Sequence, residues 1–278
     1  MEGTALIVAR LCVYSALLVA AGVPAALAIA RETGGRWLTA GALTAAILAT
    51  LWWALESVAA MAALPLGELD RELVTSVLAA TPLGMVIAFR LAALCAALVA
   101  LWFRRSFLTA LFAASALASV AWTGHAGASE GHLGFLHCAS DIVHVLAAAV
   151  WTGSLVLFLI AAVGGVDSPA LARRLERFSG TGTLVVLLLL VSGIANTLVI
   201  TNGTLDPAMP WFQLLLAKIA LFGLMLGLAA CNRWRLTPTL AAAQPGSLRN
   251  LRISLGLETG AAFIIVALVA ALGTLSPV

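Results

Sequence analysis

Charge is what this 278-residue sequence most lacks. Asp, Glu, Lys and Arg make up 10% of it, whereas a soluble domain carries about 25%. With 63% hydrophobic residues and a mean hydropathy of +1.10, a water-soluble globular domain and a disordered chain are both excluded. Cysteine is sparse: Cys12, Cys95, Cys138 and Cys231 lie far apart, with no Cys-x-x-Cys. Neither a disulfide framework nor a zinc knuckle is encoded. A net charge of +3 without any Lys/Arg block speaks against nucleic acid as a partner. There is no nucleophile–base pair, phosphate-binding loop or zincin motif, so the chain reads as something other than an enzyme. The N-terminus lacks a basic n-region, and its apolar run is too long for a signal peptide. A retained helix is expected there.

What is present is apolar sequence in long runs. A bilayer needs about 20 apolar residues per helix, and eight candidate spans follow: 4–30, 37–63, 82–103, 106–124, 136–163, 180–201, 211–231 and 252–275. Nothing alternates like a barrel strand, and backbone groups in lipid must be satisfied internally. The expected fold class is therefore all-α: a polytopic membrane protein with eight helices in a single transmembrane domain, 1–278. Membrane lipid is its surrounding partner. The segment 232–251, with Pro238, Pro245 and Gly246, is expected to be irregular. Gly223 and Gly227 form a small-xxx-small spacing that predicts a packing seam.

Basic residues set the orientation. Arg31, Arg36, Arg104, Arg105, Arg173, Arg174, Arg177, Arg233, Arg235, Arg249 and Arg252 all fall in odd-numbered loops, and only Arg71 falls in an even one. The positive-inside rule then puts both termini outside and the odd loops in the cytoplasm.

All four histidines fall between residues 125 and 144. On this topology they gather at the outer end of the fourth and fifth spans. His137, Asp141 and His144 follow an i, i+4, i+7 spacing, so one helical face carries all three, and Trp151 continues that face inward. Imidazole is the commonest metal ligand, and a carboxylate between two histidines can fix a tautomer. His137 and His144 are about 10 Å apart along the axis, so they predict successive stations rather than one chelate. His125 and His132 are further candidate ligands, as are the sulfurs of Met61, Met85 and Met209 at the same surface. Thioether and imidazole together suit Cu(I), and imidazole also suits Cu(II). Interfacial hydrogen bonding by the histidines is the competing reading.

Ionisable residues inside the spans form a second pattern. Arg10, Glu56, Arg90, His144 and Lys218 lie about 7–11 residues from the outer helix ends, a common depth of roughly 10–15 Å. Asn196 is slightly shallower. Such residues are costly in a membrane, so one connected polar network of Glu56, Arg90 and Lys218 is expected, with snorkelling of each side chain as the alternative. Glu258 stands alone in the opposite half of the last span.

Several segments resemble the copper resistance protein D (CopD) family of bacterial inner-membrane proteins. They are Thr81-Pro-Leu-Gly84 leading to Arg90-Leu91, Gly124-His125-Ala126, His144 through Gly153, Arg177-Phe-Ser179, Ser192-Gly193-Ile-Ala-Asn196, Leu216-Ala-Lys218, Asn232-Arg-Trp-Arg235-Leu236, and Arg252 through Glu258. The resemblance covers about residues 81–275 well and the first two spans weakly. It implies an eight-helix protein of the bacterial inner (cytoplasmic) membrane, in which the basic-loop count puts both termini in the periplasm. Its function would be copper import from periplasm to cytoplasm. It also implies a separate periplasmic CopC-like copper-binding protein as partner, since no such domain is fused to this chain. Two alternatives remain open at this point: a haem-binding electron-transfer protein, and a copper-delivery scaffold that does not transport.

Overall fold

The computed structural model describes residues 2–32, 34–124, 131–201, 203 and 206–276. Its elements are α1 (Glu2–Ala30), α2 (Arg36–Ala62), α3 (Arg71–Ala80), α4 (Pro82–Trp102), α5 (Ser106–Ala118), α6 (Gly131–Val163), α7 (Ser168–Ile200), α8 (Pro210–Cys231), α9 (Thr237–Ala241) and α10 (Ser247–Leu272). A 3₁₀ segment, 119–123, extends α5 to membrane length. Among the described residues eight helices, all but α3 and α9, are long and apolar enough to span a membrane.

The helix ends follow local chemistry. The Asp70 side chain accepts from the Leu73 N–H at 2.7 Å and caps α3. Asp167 caps α7 through the Ala170 N–H at 3.3 Å. Pro82 and Pro210 open α4 and α8, where a missing N–H goes unnoticed.

Three sequence expectations need correction. α3 was not anticipated: its ten residues are too few and too polar to register as a span. α7 begins at Ser168 rather than 180, and α6 at Gly131 rather than 136. Hydropathy marks where lipid ends, while a helix continues beyond it through polar turns such as Arg173–Arg177. The segment 232–251 is mostly helical: a π turn, 232–236, runs from α8 into α9, and α10 starts at Ser247. Pro238 lies inside the continuous helix 210–241, and its missing N–H falls just after the π turn, where the regular ladder is interrupted.

Two apolar cores divide the bundle. One lies among α1, α2, α4 and α5, with Leu17, Leu43, Leu94 and Leu117 at its centre. The other lies among α6, α7, α8 and α10, around Leu155, Leu171, Leu251 and Leu255. They join where α1 crosses α6. There a Cβ on Gly22 would stand 2.0 Å from the Ala149 carbonyl oxygen, and one on Gly153 would stand 2.1 Å from the Gly22 carbonyl carbon. Only glycine permits that backbone approach. By contrast, Gly223 and Gly227 face open space, so the expected seam at that pair is not formed.

α7 and α8 are peripheral. Only 17% and 11% of their apolar windows are buried, against 50% in α6. α7 packs on α6, and α8 packs on α10, but the two make no seam with each other. The gap between them reaches into the bundle. Arg10 packs against Gly273, so the start of α1 and the end of α10 lie at one end of the molecule, called here the termini end.

Candidate functional site

The helical face read from the histidine spacing is the face of α6 that lines the gap. His137, Asp141 and His144 border a cavity of about 240 Å³, with Tyr14 from α1, Asn196 from α7, and Trp211 and Lys218 from α8. A second, more apolar cavity of about 370 Å³ continues toward the other end, past Trp151, Phe222 and Met225. His144 and Lys218 border both, so the two cavities meet at that pair.

The hydrogen bonds at His144 suit one tautomer. The Ser192 hydroxyl donates its only proton to the Leu188 carbonyl, one turn back on α7. Toward His144 Nδ1, 2.9 Å away, it can therefore only accept. With Nδ1 carrying the hydrogen, a neutral His144 keeps a lone pair on Nε2. A histidine prepared to bind a metal has this arrangement, with one ring nitrogen donating to the protein and the other open. Nearby, Asn196 Nδ2 donates to Asp141 Oδ1 at 3.2 Å, and the Asn196 Oδ1 is buried without a partner. Lys218 has no hydrogen-bond acceptor among the described residues, though it lies within electrostatic range of Asp141 and His144.

The other candidates are scattered. His125 lies outside the described residues. His132 is exposed in the first turn of α6. Met61 and Met85 are exposed, Met209 is half-buried just before α8, and none of the three lines either cavity. No group of three His, Cys, Asp or Glu able to hold a metal occurs among the described residues. Among the described residues, His137 and His144 follow one another along the cavities.

The single network expected of Glu56, Arg90 and Lys218 is not formed among the described residues. Glu56 accepts from Trp52 Nε1 at 3.0 Å on its own helix. Arg90 is fully buried, donates to Ser119 Oγ at 2.8 Å and reaches Thr123 Oγ1 at 3.5 Å, and its guanidinium lies 5.2 Å from the Trp53 ring centre. Hydroxyls and an indole surround the guanidinium in place of a carboxylate, and its Nη1 has no acceptor among the described residues. Trp151 is buried beside Phe222, 6.1 Å between ring centres. Glu258 is buried in the opposite half and accepts from Asn232 Nδ2.

Tyr14, Ser192 and Trp211 were missed as site residues. Ser192 could have been found: it sits one turn from Asn196, so α7 carries a polar pair at the same i, i+4 spacing as His137 and Asp141 on α6. Tyr14 and Trp211 carry no such signal, because nothing in sequence says which neighbours they face.

Comparison with known proteins gives a consistent result. The family model for copper resistance protein D matches residues 172–272, and that for the copper resistance protein D-like N-terminal domain matches residues 1–135. Copper resistance protein D of Pseudomonas syringae pv. tomato is 36% identical over 215 residues, covering 71% of this chain and 69% of that protein. Inner membrane protein YebZ of Escherichia coli (strain K12) is 30% identical over 160 residues, covering 57% of this chain and 55% of its own length. No solved structure matches the chain. Most of α6, with His137, Asp141 and His144, falls between the two family-model matches.

Proposed function

The chain belongs to the copper resistance protein D family, and from that premise we propose that it conducts copper across the bacterial inner membrane, from periplasm to cytoplasm. A multi-pass membrane protein with a copper-related function follows from the family and the eight apolar helices. Transport and its direction are our reading.

One observation carries it: a histidine held by Ser192 through Nδ1, His144, stands where two cavities meet. Copper is the cargo. It enters at the termini end, which the basic-loop count assigns to the periplasm, from a separate CopC-like carrier. His137 is the first station and His144 the second, with His125, His132 and the sulfurs of Met61, Met85 and Met209 assisting capture at the surface. Asp141 and Asn196 hold the polar wall between the two histidines. Sites of few ligands bind weakly, and an ion that must leave again requires that.

Copper uptake into proteoliposomes carrying the purified protein tests this reading. We expect uptake by wild type, and a loss of at least about tenfold in His144→Ala, since losing one ligand or its support costs about 10–100-fold. Binding without flux would assign a delivery scaffold instead, and a haem absorption band in the pure protein would assign electron transfer.

A further inference from the structure

The second cavity ends close to a polar pair that the histidine path does not use. Ala262 of α10 and Met225 of α8 line that cavity. Glu258 lies one turn from Ala262 on α10, and Asn232 lies seven residues beyond Met225, two turns along the same helical line. The two side chains meet, with Asn232 donating to Glu258 Oε1. Asn232 opens the π turn, a helical irregularity frequent at functional sites.

Glu258 is 2% exposed, and among the described residues no cation pairs with it. Among the described residues the one ion pair is Arg174 with Glu32. The charged and titratable groups on the elements around it turn elsewhere. Arg233 donates to Thr183, Arg252 donates to the Ala162 carbonyl, and Arg235 and Arg249 are exposed. Cys231 is half-buried on the neighbouring turn of α8, and Lys218 and His144 sit at the far end of the cavity. α6 brings no charged side chain to this half, and α1 has its own, Arg10, at the termini end. An ionised carboxylate stripped of water and given one amide hydrogen bond is poorly compensated. A neutral acid is well served here: it accepts from Asn232 Nδ2, and the Asn232 Oδ1, buried with no partner, can take its O–H.

We propose that Glu258 and Asn232 form a proton-binding site, in which Glu258 holds a proton as a neutral acid and releases it when a cation occupies the cavity one turn away. This rests on the transport reading above. The step is R–COOH giving R–COO⁻ and a free proton, so arrival of one positive charge is matched by departure of another. A cation entering a membrane interior without such compensation raises the local charge in a low dielectric. Cargo then moves in exchange for a proton.

Infrared difference spectroscopy on the full-length protein in lipid tests the site directly. Wild type should show the carbonyl band of a protonated carboxyl, absent in Glu258→Gln, and adding copper ions should convert it to carboxylate. In proteoliposomes with a lumenal pH dye, copper uptake should move protons the other way, and Glu258→Gln should abolish that proton signal. An absent band in wild type, a band that survives Glu258→Gln, or a band indifferent to copper would overturn the proposal. If copper converts the band but wild-type vesicles take up no copper, the transport reading fails while the proton site stands.

Discussion

Arg90 and Lys218 are both basic residues set at mid-depth in helices of similar length, and they are treated in opposite ways. Arg90 sits in the half formed by α1, α2, α4 and α5. It is sealed from solvent, bonded to Ser119 and Thr123, and covered by Trp53. Lys218 sits in the half formed by α6, α7, α8 and α10. It borders two cavities and has no acceptor among the described residues. The difference arises from packing between helices. In the first half α2 and α5 close on α1, with α4 packed against both, whereas in the second α7 and α8 stay apart. A basic residue in a closed half becomes part of the fold, and one beside a gap is left to act on whatever enters it.

The largest effect is expected where the halves join. Gly153→Ala drives a methyl into the backbone of α1 and should destabilise the protein by on the order of 3 kcal/mol or more. Gly223→Ala, in open space on α8, should leave stability within about 0.5 kcal/mol. Thermal unfolding of the pair in detergent compares them, and equal losses would mean that α1 and α6 do not cross as described.

Arg90→Ala comes next. Emptying a fully buried site should cost about 3 kcal/mol, whereas Lys218→Ala should cost less than about 1 kcal/mol. Were both substitutions equally damaging, Lys218 would be structural and the contrast between the halves would disappear.

In copper binding the order reverses. Lys218→Leu removes a positive charge beside His144 without adding a ligand, and at an effective dielectric near 20 that repulsion is worth about 2 kcal/mol. Copper affinity should therefore rise by roughly tenfold or more in this variant, while Arg90→Lys should leave it nearly unchanged. Equilibrium copper titration distinguishes the two.

The smallest effect concerns the His144 tautomer. Ser192→Ala removes the acceptor for Nδ1–H and should lower copper affinity about tenfold, with Ser192→Thr restoring much of it. A Ser192→Ala protein that binds copper like wild type would mean that the hydroxyl does not orient the ring.

The sequence by itself determined the class of this protein. Eight apolar runs in a chain with 10% charge can only be helices in lipid, because no water is there to satisfy an open backbone. It also determined one functional face: seven residues make nearly two helical turns, so His137 and His144 had to share a side of α6, and that side lines the cavity. Tertiary structure alone decided what faces that side. Equal depth in separate helices could not reveal that Glu56, Arg90 and Lys218 point to different neighbours, since depth fixes one coordinate and helix rotation is set by packing. Periodicity along a single helix is local and legible. The meeting of His144 with Ser192 across 48 residues, and of Asn232 with Glu258 across 26, exists only once the helices have packed.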